Sequence, residues 1–329
     1  MTGRALYFTG PGSVEVRPKP IPEPEPGEVR VRTERSSVSP GTELLVYRDE
    51  VPADLPIDET IDALDETFSY PLQYGYATVG RVTALGEGVD DEWLDRRVFA
   101  FNPHESHFLA DPGTLVPTTL SDERALLIPN AETAVNLVMD ARPRVGARVV
   151  VFGQGPIGLL TTALLAEFPL ADLVTVDRYE SRRRLSESFG ADRAVAPGDL
   201  EEALGAAPDI AFELSGNPAA LDDAISVTGY AGTVVVGSWY GTKGVSLDLG
   251  GSYHRSHIRI RSSQVSRIDS DHADRWDKAR RLSFVRSWLA ENDLTALLTH
   301  EFEVGQAAEA YRLLEERPDG AIQIVFTYE

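Results

Sequence analysis

Three groups of residues have types and spacings that could do chemistry. The first is Gly153-Gln154-Gly155-Pro156-Ile157-Gly158, which fits the pattern G-x-G-x-x-G. On its own the pattern is weak, because glycine turns between strands and helices are common. Here it follows the apolar run Arg148–Phe152 and opens a helical stretch, Ile157–Phe168. The next β-rich run, Leu173–Asp177, ends on an acidic residue 19 positions after Gly158. That is the context a dinucleotide fingerprint requires. Gly153 permits a tight turn, Gly155 lets a pyrophosphate approach the backbone, and Gly158 lets helix and sheet pack closely. Unpaired N–H groups at the helix start face the phosphates. Asp177 accepts from ribose hydroxyls and repels a 2′-phosphate, which favours NAD(H). Arg178, Arg182 and Arg183 would neutralise such a phosphate and keep NADP(H) as the alternative.

The second group is Phe101-Asn-Pro-His104-Glu-Ser-His107-Phe. Both histidines titrate near neutrality and are candidates to relay a proton; the bland alternative is a pair of surface-loop histidines. His-x-x-His with Glu105 or Asp111 is a weaker candidate for metal, since a loop offers no fixed ligand spacing. The third group ends successive strands: Ser215-Gly216-Asn217 and Gly237-Ser238-Trp239-Tyr240. Doubly wound sheets bind ligands beyond such carboxyl ends, so Ser215, Gly216, Gly237 and Ser238 join the cofactor-binding candidates. The chain has no cysteine, which excludes disulfides, thiolate nucleophiles and cysteine-bound zinc.

The elements that position these groups change character along the chain. Up to about residue 140 the sequence is rich in proline, glycine and short β-runs: Glu28–Thr33, Thr78–Leu85 and Arg97–Phe101. Pro20–Pro26 reads as an extended linker. From Gly146 strands and helices alternate, through Arg148–Phe152, Glu180–Phe189, Ile210–Leu214 and Thr233–Gly237, as in a parallel sheet. A helix at Trp276–Glu291, another near Gln306–Glu316 and a strand at Ile322–Thr327 close the chain. The expected division is 1–140, a nucleotide-binding domain over 141–275, and a return to the first domain over 276–329.

With these runs in place, the chain resembles the medium-chain dehydrogenase/reductase superfamily, which includes the zinc alcohol dehydrogenases. Gly146–Leu160 looks like that family's cofactor entry, Asp209–Gly216 like its fourth strand, Gly232–Gly237 like its fifth, and the tail from His300 through Tyr311 also matches. The resemblance implies an α/β fold, a GroES-like β-rich catalytic domain with an inserted doubly wound Rossmann domain. It also shows departures. Ser37-Val-Ser-Pro-Gly-Thr-Glu43 has Ser39 or Pro40 where the zinc enzymes have a cysteine. Their Gly-His-Glu is Gly75-Tyr76-Ala77, and around the third ligand, Pro129–Glu132, only Glu132 could bind metal. A catalytic zinc, which needs three protein ligands, is not expected. Ser37–Glu43 and Arg261–Ser266 are similar to a hydroxyethyl-bacteriochlorophyllide dehydrogenase-like branch, read as kinship of motif and not of substrate.

Without a Lewis acid, hydride transfer to a carbonyl needs a hydrogen-bond donor near the nicotinamide. The candidates are Tyr76, standing where a zinc-binding histidine would be, with His104 and His107; Glu43 is expected to orient Tyr76 or a histidine, and Glu132 to close the network or serve only as a helix N-terminal carboxylate. The expected activity is zinc-independent oxidoreduction of a small alcohol or ketone. A zinc-free quinone or enoyl reductase, and a dinucleotide-binding sensor or scaffold without turnover, are the rivals.

Composition narrows the partners. In 329 residues there are 52 acidic and 31 basic side chains, a formal charge of −21 that argues against nucleic acid. Only Lys19, Lys243 and Lys278 are lysines, and acids cluster at Asp58–Asp65 and Asp199–Glu202, a balance expected of a protein adapted to high salt. No apolar run approaches the roughly 18–20 residues of a membrane span, and Met1–Gly12 has no apolar signal core. Cytoplasmic residence follows as the expectation. A homodimer is expected through a sheet edge made by Val245–Leu249 or Ile258–Arg261.

Overall fold

A computed structural model describes residues 2–52 and 68–328; the acidic cluster Asp58–Asp65 lies outside them. The chain divides into two compact units, Met1–Pro129 with Arg286–Glu329, and Asn130–Val285.

The first unit begins with β1 (Thr2–Gly10), β2 (Ser13–Pro20), β3 (Val29–Ser37), α1 (Pro40–Tyr47), β4 (Thr78–Leu85), β5 (Arg97–Ala100), β6 (His107–Ala110), β7 (Val116–Pro117) and α2 (Asp122–Ala125). Helix α3 (Ile128–Ala141) leads into the second unit: β8 (Arg148–Phe152), α4 (Pro156–Leu165), β9 (Asp172–Val176), α5 (Glu180–Ser188), β10 (Arg193–Val195), α6 (Leu200–Ala203), β11 (Ile210–Glu213), α7 (Pro218–Val227), β12 (Thr233–Val236) and β13 (Arg259–Ser262). Helix α8 (Lys278–Glu291) leads back to β14 (Leu298–Glu303), α9 (Ala307–Glu316) and β15 (Gln323–Thr327).

In the first unit β14-β15-β3-β4-β5-β7 form one sheet, with β6 also on β3, and β1 pairs with β2 as a separate hairpin. Strand β3 shows why: Val29, Val31 and Thr33 are buried while the intervening Arg30 and Arg32 turn outward, the period-2 signature of a sheet with one wet face. The terminal strand β15 returns to pair antiparallel with β3, Val325 opposite Ser37. A core of Leu6, Phe8, Val38, Val46, Tyr311, Ile324 and Phe326 lies between these strands and helices α1 and α9.

The second unit is a six-stranded sheet in the order β10-β9-β8-β11-β12-β13, every pairing parallel. Parallel strands are covered on both faces and so read as continuous apolar runs; in Arg148–Phe152 every residue after the first is buried. The strand order reverses between β8 and β11, the switch point at which such sheets bind ligands. The fold is α/β, with a GroES-like β-rich part and a Rossmann sheet.

Val245–Leu249 is not a strand. Asp248 takes the amides of Gly250 and Gly251 on its own carboxylate, at 3.0 and 3.1 Å, which turns the chain away from extended pairing. Of the two segments expected at an edge, only Ile258–Arg261 falls on one, in β13.

Glu132 is also placed differently from expectation. It lies within α3 at 5% exposure and receives both Nε (3.0 Å) and Nη2 (2.7 Å) of Arg281, which is fully buried. Arg281 also donates to Asn136 Oδ1 and the Val265 carbonyl, each at 2.5 Å. Burial pushes the Glu132 carboxyl up, and the guanidinium opposes that push. This carboxylate is committed to an ion pair joining α3 to α8, leaving no role in a metal or proton network. Removing one partner of a buried pair strands the other charge, so Arg281→Ala is expected to cost about 3–5 kcal/mol of stability in urea denaturation.

Candidate active site

The glycine turn brings the start of α4 close against the sheet. A Cβ on Gly158 would lie 1.8 Å from the Gly153 carbonyl oxygen, and one on Gly153 would lie 2.5 Å from the Ser215 Cα, so only glycine lets α4 start this close to the sheet. Gly155 is the N-cap of α4, Pro156 its first residue and Ile157 its second. The first-turn amides lack intrahelical acceptors by position and carry the positive end of the helix dipole. The open side of Gly155 has Arg182 Nη1 as its nearest neighbour, 4.0 Å from where a Cβ would stand. The Gln154 side chain is turned inward to the Thr162 hydroxyl (3.1 Å) and the Gly153 carbonyl (3.2 Å).

Asp177 caps this turn. Its Oδ2 accepts from the Gln154 amide at 2.7 Å and its Oδ1 from the Tyr179 amide at 2.8 Å. The carboxylate is therefore held just after the end of β9 by one amide on each oxygen, which leaves each oxygen capacity to accept a further donor. Arg178 and Arg182 both lie over the Tyr179 ring, 4.5 and 5.1 Å from its centroid, and Arg183 donates to the Asp177 carbonyl at 2.8 Å.

Beyond β11 and β12 a second carboxylate organises the loops. Glu213 is fully buried; it accepts from the Ser215 amide (2.8 Å), the Ser215 hydroxyl and the Tyr240 hydroxyl (2.5 Å). Burial, then the Glu213 charge, pushes the Tyr240 phenol far up and keeps it a donor. Ser238 Oγ accepts from the Gly216 amide at 2.9 Å, tying the two strand ends together, while Gly237 lies against Leu137 and Leu214, where a Cβ would come within 2.6 Å of each. Three carboxylates of this unit, Glu132, Asp177 and Glu213, each receive convergent donors, and Glu213 was not singled out from sequence.

In the first unit Tyr76 is half-buried and donates to Ser39 Oγ at 2.5 Å, with Thr42 Oγ1 at 3.2 Å from the same phenol. Ser39 is the N-cap of α1, and its amide donates to Glu43 Oε1 at 2.6 Å. The other oxygen of Glu43 accepts from His104 Nε2 (3.1 Å) and from the Tyr311 hydroxyl. His104 Nδ1 meets Ser36 Oγ at 2.7 Å, and Ser36 meets the Tyr328 hydroxyl at 2.8 Å. Glu43, His104, Ser36 and Tyr311 are all fully buried. Burial, and then Glu43, raise the Tyr311 phenol well above its ordinary range, so it remains the donor.

The expectations for this cluster are thus partly redrawn. Glu43 orients a histidine and not Tyr76. His104 and Glu43 have no exposed surface, so neither presents a face to a substrate. His107 stands apart: it opens β6 opposite Arg32, with its Nδ1 against Ser106 at 3.1 Å, and burial, followed by the charges of Arg30 and Arg32, holds its pKa below the usual imidazole value. Glu105 pairs with Lys19 at 2.5 Å and Asp111 caps Gly113, so neither is free to complete a His-x-x-His ligand set. Ser36, Tyr311 and Tyr328 were not singled out from sequence, and no local motif marks them.

Residues 156–283 match the family model described as zinc-binding dehydrogenase. (R,R)-butanediol dehydrogenase of Bacillus subtilis (strain 168) is 28% identical over 255 residues, which is 66% of this chain and 70% of that protein. A short chain alcohol dehydrogenase (rspB) from Escherichia coli CFT073, complexed with NADH, superposes with a TM-score of 0.78 at 19% identity, covering 99% of both chains. A dehydrogenase from Sinorhizobium meliloti 1021, bound to NADP, also gives 0.78 at 18% identity over 99% of each. These likenesses support an NAD(P)-dependent oxidoreductase of the medium-chain, zinc alcohol dehydrogenase-like kind.

The segment matched to the zinc-binding model starts at Pro156 and so does not include Ser39, Pro40 or Tyr76. At those positions stand two hydroxyls bonded to one another and a proline with no ligating atom. Catalytic zinc takes thiolate, imidazole and carboxylate donors, and this set does not fit it. Among the described residues no group of three or more histidines and carboxylates is arranged to hold a metal ion.

Two outcomes follow. Gly158→Ala, which places a methyl against the Gly153 carbonyl, is expected to abolish dinucleotide binding in fluorescence titration. His107, whose folded pKa is depressed, binds fewer protons folded than unfolded below the unfolded value of about 6.5. It therefore leaves stability intact above that pH and subtracts from it as pH falls, and in thermal melts His107→Gln is expected to lose part of the wild-type decline between pH 7 and about pH 5.

Proposed function

We propose that the protein is a zinc-independent oxidoreductase acting on a small alcohol or ketone, with the Tyr76 phenol as its proton donor and acceptor. The observation that carries this reading is the Tyr76 hydroxyl bonded to Ser39 and Thr42, in the position where the resembling zinc enzymes place a metal ligand. When bound, the dinucleotide supplies the redox chemistry, exchange of a hydride with the substrate carbon. The chain's own residues do the rest. First-turn amides of α4 bind the pyrophosphate, and Asp177 accepts from the ribose, which favours NAD(H) over NADP(H). In the reductive direction the Tyr76 proton passes to the carbonyl oxygen. Ser39 and Thr42 then donate to the phenolate, and the half-buried Thr42 is the route by which it is reprotonated.

The same reading extends to the surroundings of the protein. Its charge of −21 with three lysines supports a working environment of high salt, where self-repulsion is screened. The outer edge of β13, with Ile260 37% exposed, supports pairing with a second copy. No helix among the described residues is long and apolar enough to cross a membrane.

NADH and NADPH titrations are expected to give tighter NADH binding, and Asp177→Ala to weaken NADH by roughly tenfold, the loss of about one net hydrogen bond to a charged group; tighter NADPH binding defeats the ribose argument. Tyr76→Phe is expected to lower kcat by about 10²–10⁴ while leaving the NADH Kd unchanged. Turnover of quinones or enones alone would favour the enoyl-reductase reading, and none with alcohols, ketones, quinones or enones in high salt the sensor reading.

A further inference from the structure

Two chain segments carry the hydroxyl pair, Ser39 at the start of α1 and Tyr76 before β4, and one buried side chain touches the support of both. The His104 ring packs directly on Gly75, the residue before Tyr76. Gly75 has φ +115, and a Cβ there would lie 2.6 Å from both Cδ2 and Nε2 of the imidazole. The same Nε2 donates to Glu43 Oε2, and the opposite oxygen of that carboxylate receives the Ser39 amide. Tyr311 from α9 completes the donors on Glu43, while Ser36 fixes the far nitrogen of the ring. The ring is also held edge-on against Phe326, centroids 5.2 Å apart, and its backbone carbonyl takes the Leu6 amide at 2.9 Å. Every neighbour that would let His104 move is therefore itself pinned.

We propose that His104, acting through Glu43 and Gly75, is the positioning residue that sets the Ser39–Tyr76 hydrogen bond, with Tyr311 as its partner on the shared carboxylate. It touches neither substrate nor cofactor. It closes the geometry between two segments that carry no metal ligands to hold them together. Glu43 gathers one donor each from the N-cap of α1, the His104 loop and α9, so loss of either side-chain donor loosens its hold and, through it, the turn that carries Ser39. This inference rests on the reading of Tyr76 as the proton donor for its kinetic arm, but not for its spectroscopic one.

The variant of choice is Tyr311→Phe, which removes one hydroxyl and keeps the ring stacked on Tyr47 and edge-on to Phe8. His104→Asn is the second. In the apo protein labelled with 13Cζ-tyrosine, the Tyr76 resonance, assigned by its loss in Tyr76→Phe, is expected to shift in both variants; an unmoved Tyr76 signal in both overturns the proposal whether or not a substrate is known. In turnover, each variant is expected to lower kcat by roughly ten- to a hundredfold, the scale of misplacing a reacting group by about 1 Å, with KM and the NADH Kd little changed. The decisive measurement is Tyr311→Phe made in the Tyr76→Phe background. A residue acting through Tyr76 costs nothing further there, whereas equal losses with and without the Tyr76 hydroxyl would mean that Tyr311 and His104 merely stabilise the fold. Should Tyr76→Phe itself retain full activity while its resonance still moves in the Tyr311 variant, the proton-donor reading fails and the positioning claim stands.

Discussion

A carboxylate with no exposed surface must be met by donors, and Glu43 is such a group. Its two oxygens collect the Ser39 amide, the His104 imidazole and the Tyr311 hydroxyl, which come from the first turn of α1, the loop after β5 and helix α9. Their sequence separations from Glu43 are 4, 61 and 268 residues. Folding the first unit without bringing all three together would leave a buried charge unsatisfied, at a cost comparable to a large part of a domain's net stability. The position of the Ser39–Tyr76 pair is a consequence of that constraint.

The Rossmann unit solves the same problem three more times. Asp177 captures one amide within the glycine turn, that of Gln154, and one after β9, that of Tyr179, Glu213 captures Ser215 and Tyr240 beyond the sheet, and Glu132 takes a buried guanidinium. In a chain with 52 acidic residues most carboxylates face water, and the few turned inward act as hubs for amides and hydroxyls. Backbone amides serve well as partners because they are already ordered by the turn they belong to, so little further entropy is lost when the carboxylate takes them.

The glycine turn and its acidic partner were legible in the sequence because their parts are local. A buried strand, a glycine turn, a helix start and an acid at the next strand end all fall between Arg148 and Asp177, and steric limits on Gly153 and Gly158 leave few other arrangements. The hairpin of β1 and β2 and the partners of Glu43 were not legible. In Thr2–Gly10 the adjacent Ala5 and Leu6 are both buried, and Ser13–Pro20 carries prolines and charges, so alternation is blurred and their pairing depends on a turn and a core shared with α9. The two histidines of Phe101–Phe108 looked equivalent in sequence, yet three residues of separation in an irregular loop sent His104 inward against Gly75 and left His107 on a strand beside arginines.

From residue order alone came the α/β alternation, the glycine turn with its acidic partner and the absence of thiolates, which are matters of composition and short-range spacing. That Ser39 or Pro40, and Tyr76, stand where zinc enzymes carry ligands was what the family resemblance implied. Which carboxylate serves which donor was decided only when distant segments were packed, because a hydrogen bond is specified within a few tenths of an ångström and no periodicity in the sequence encodes where residue 311 will lie relative to residue 43.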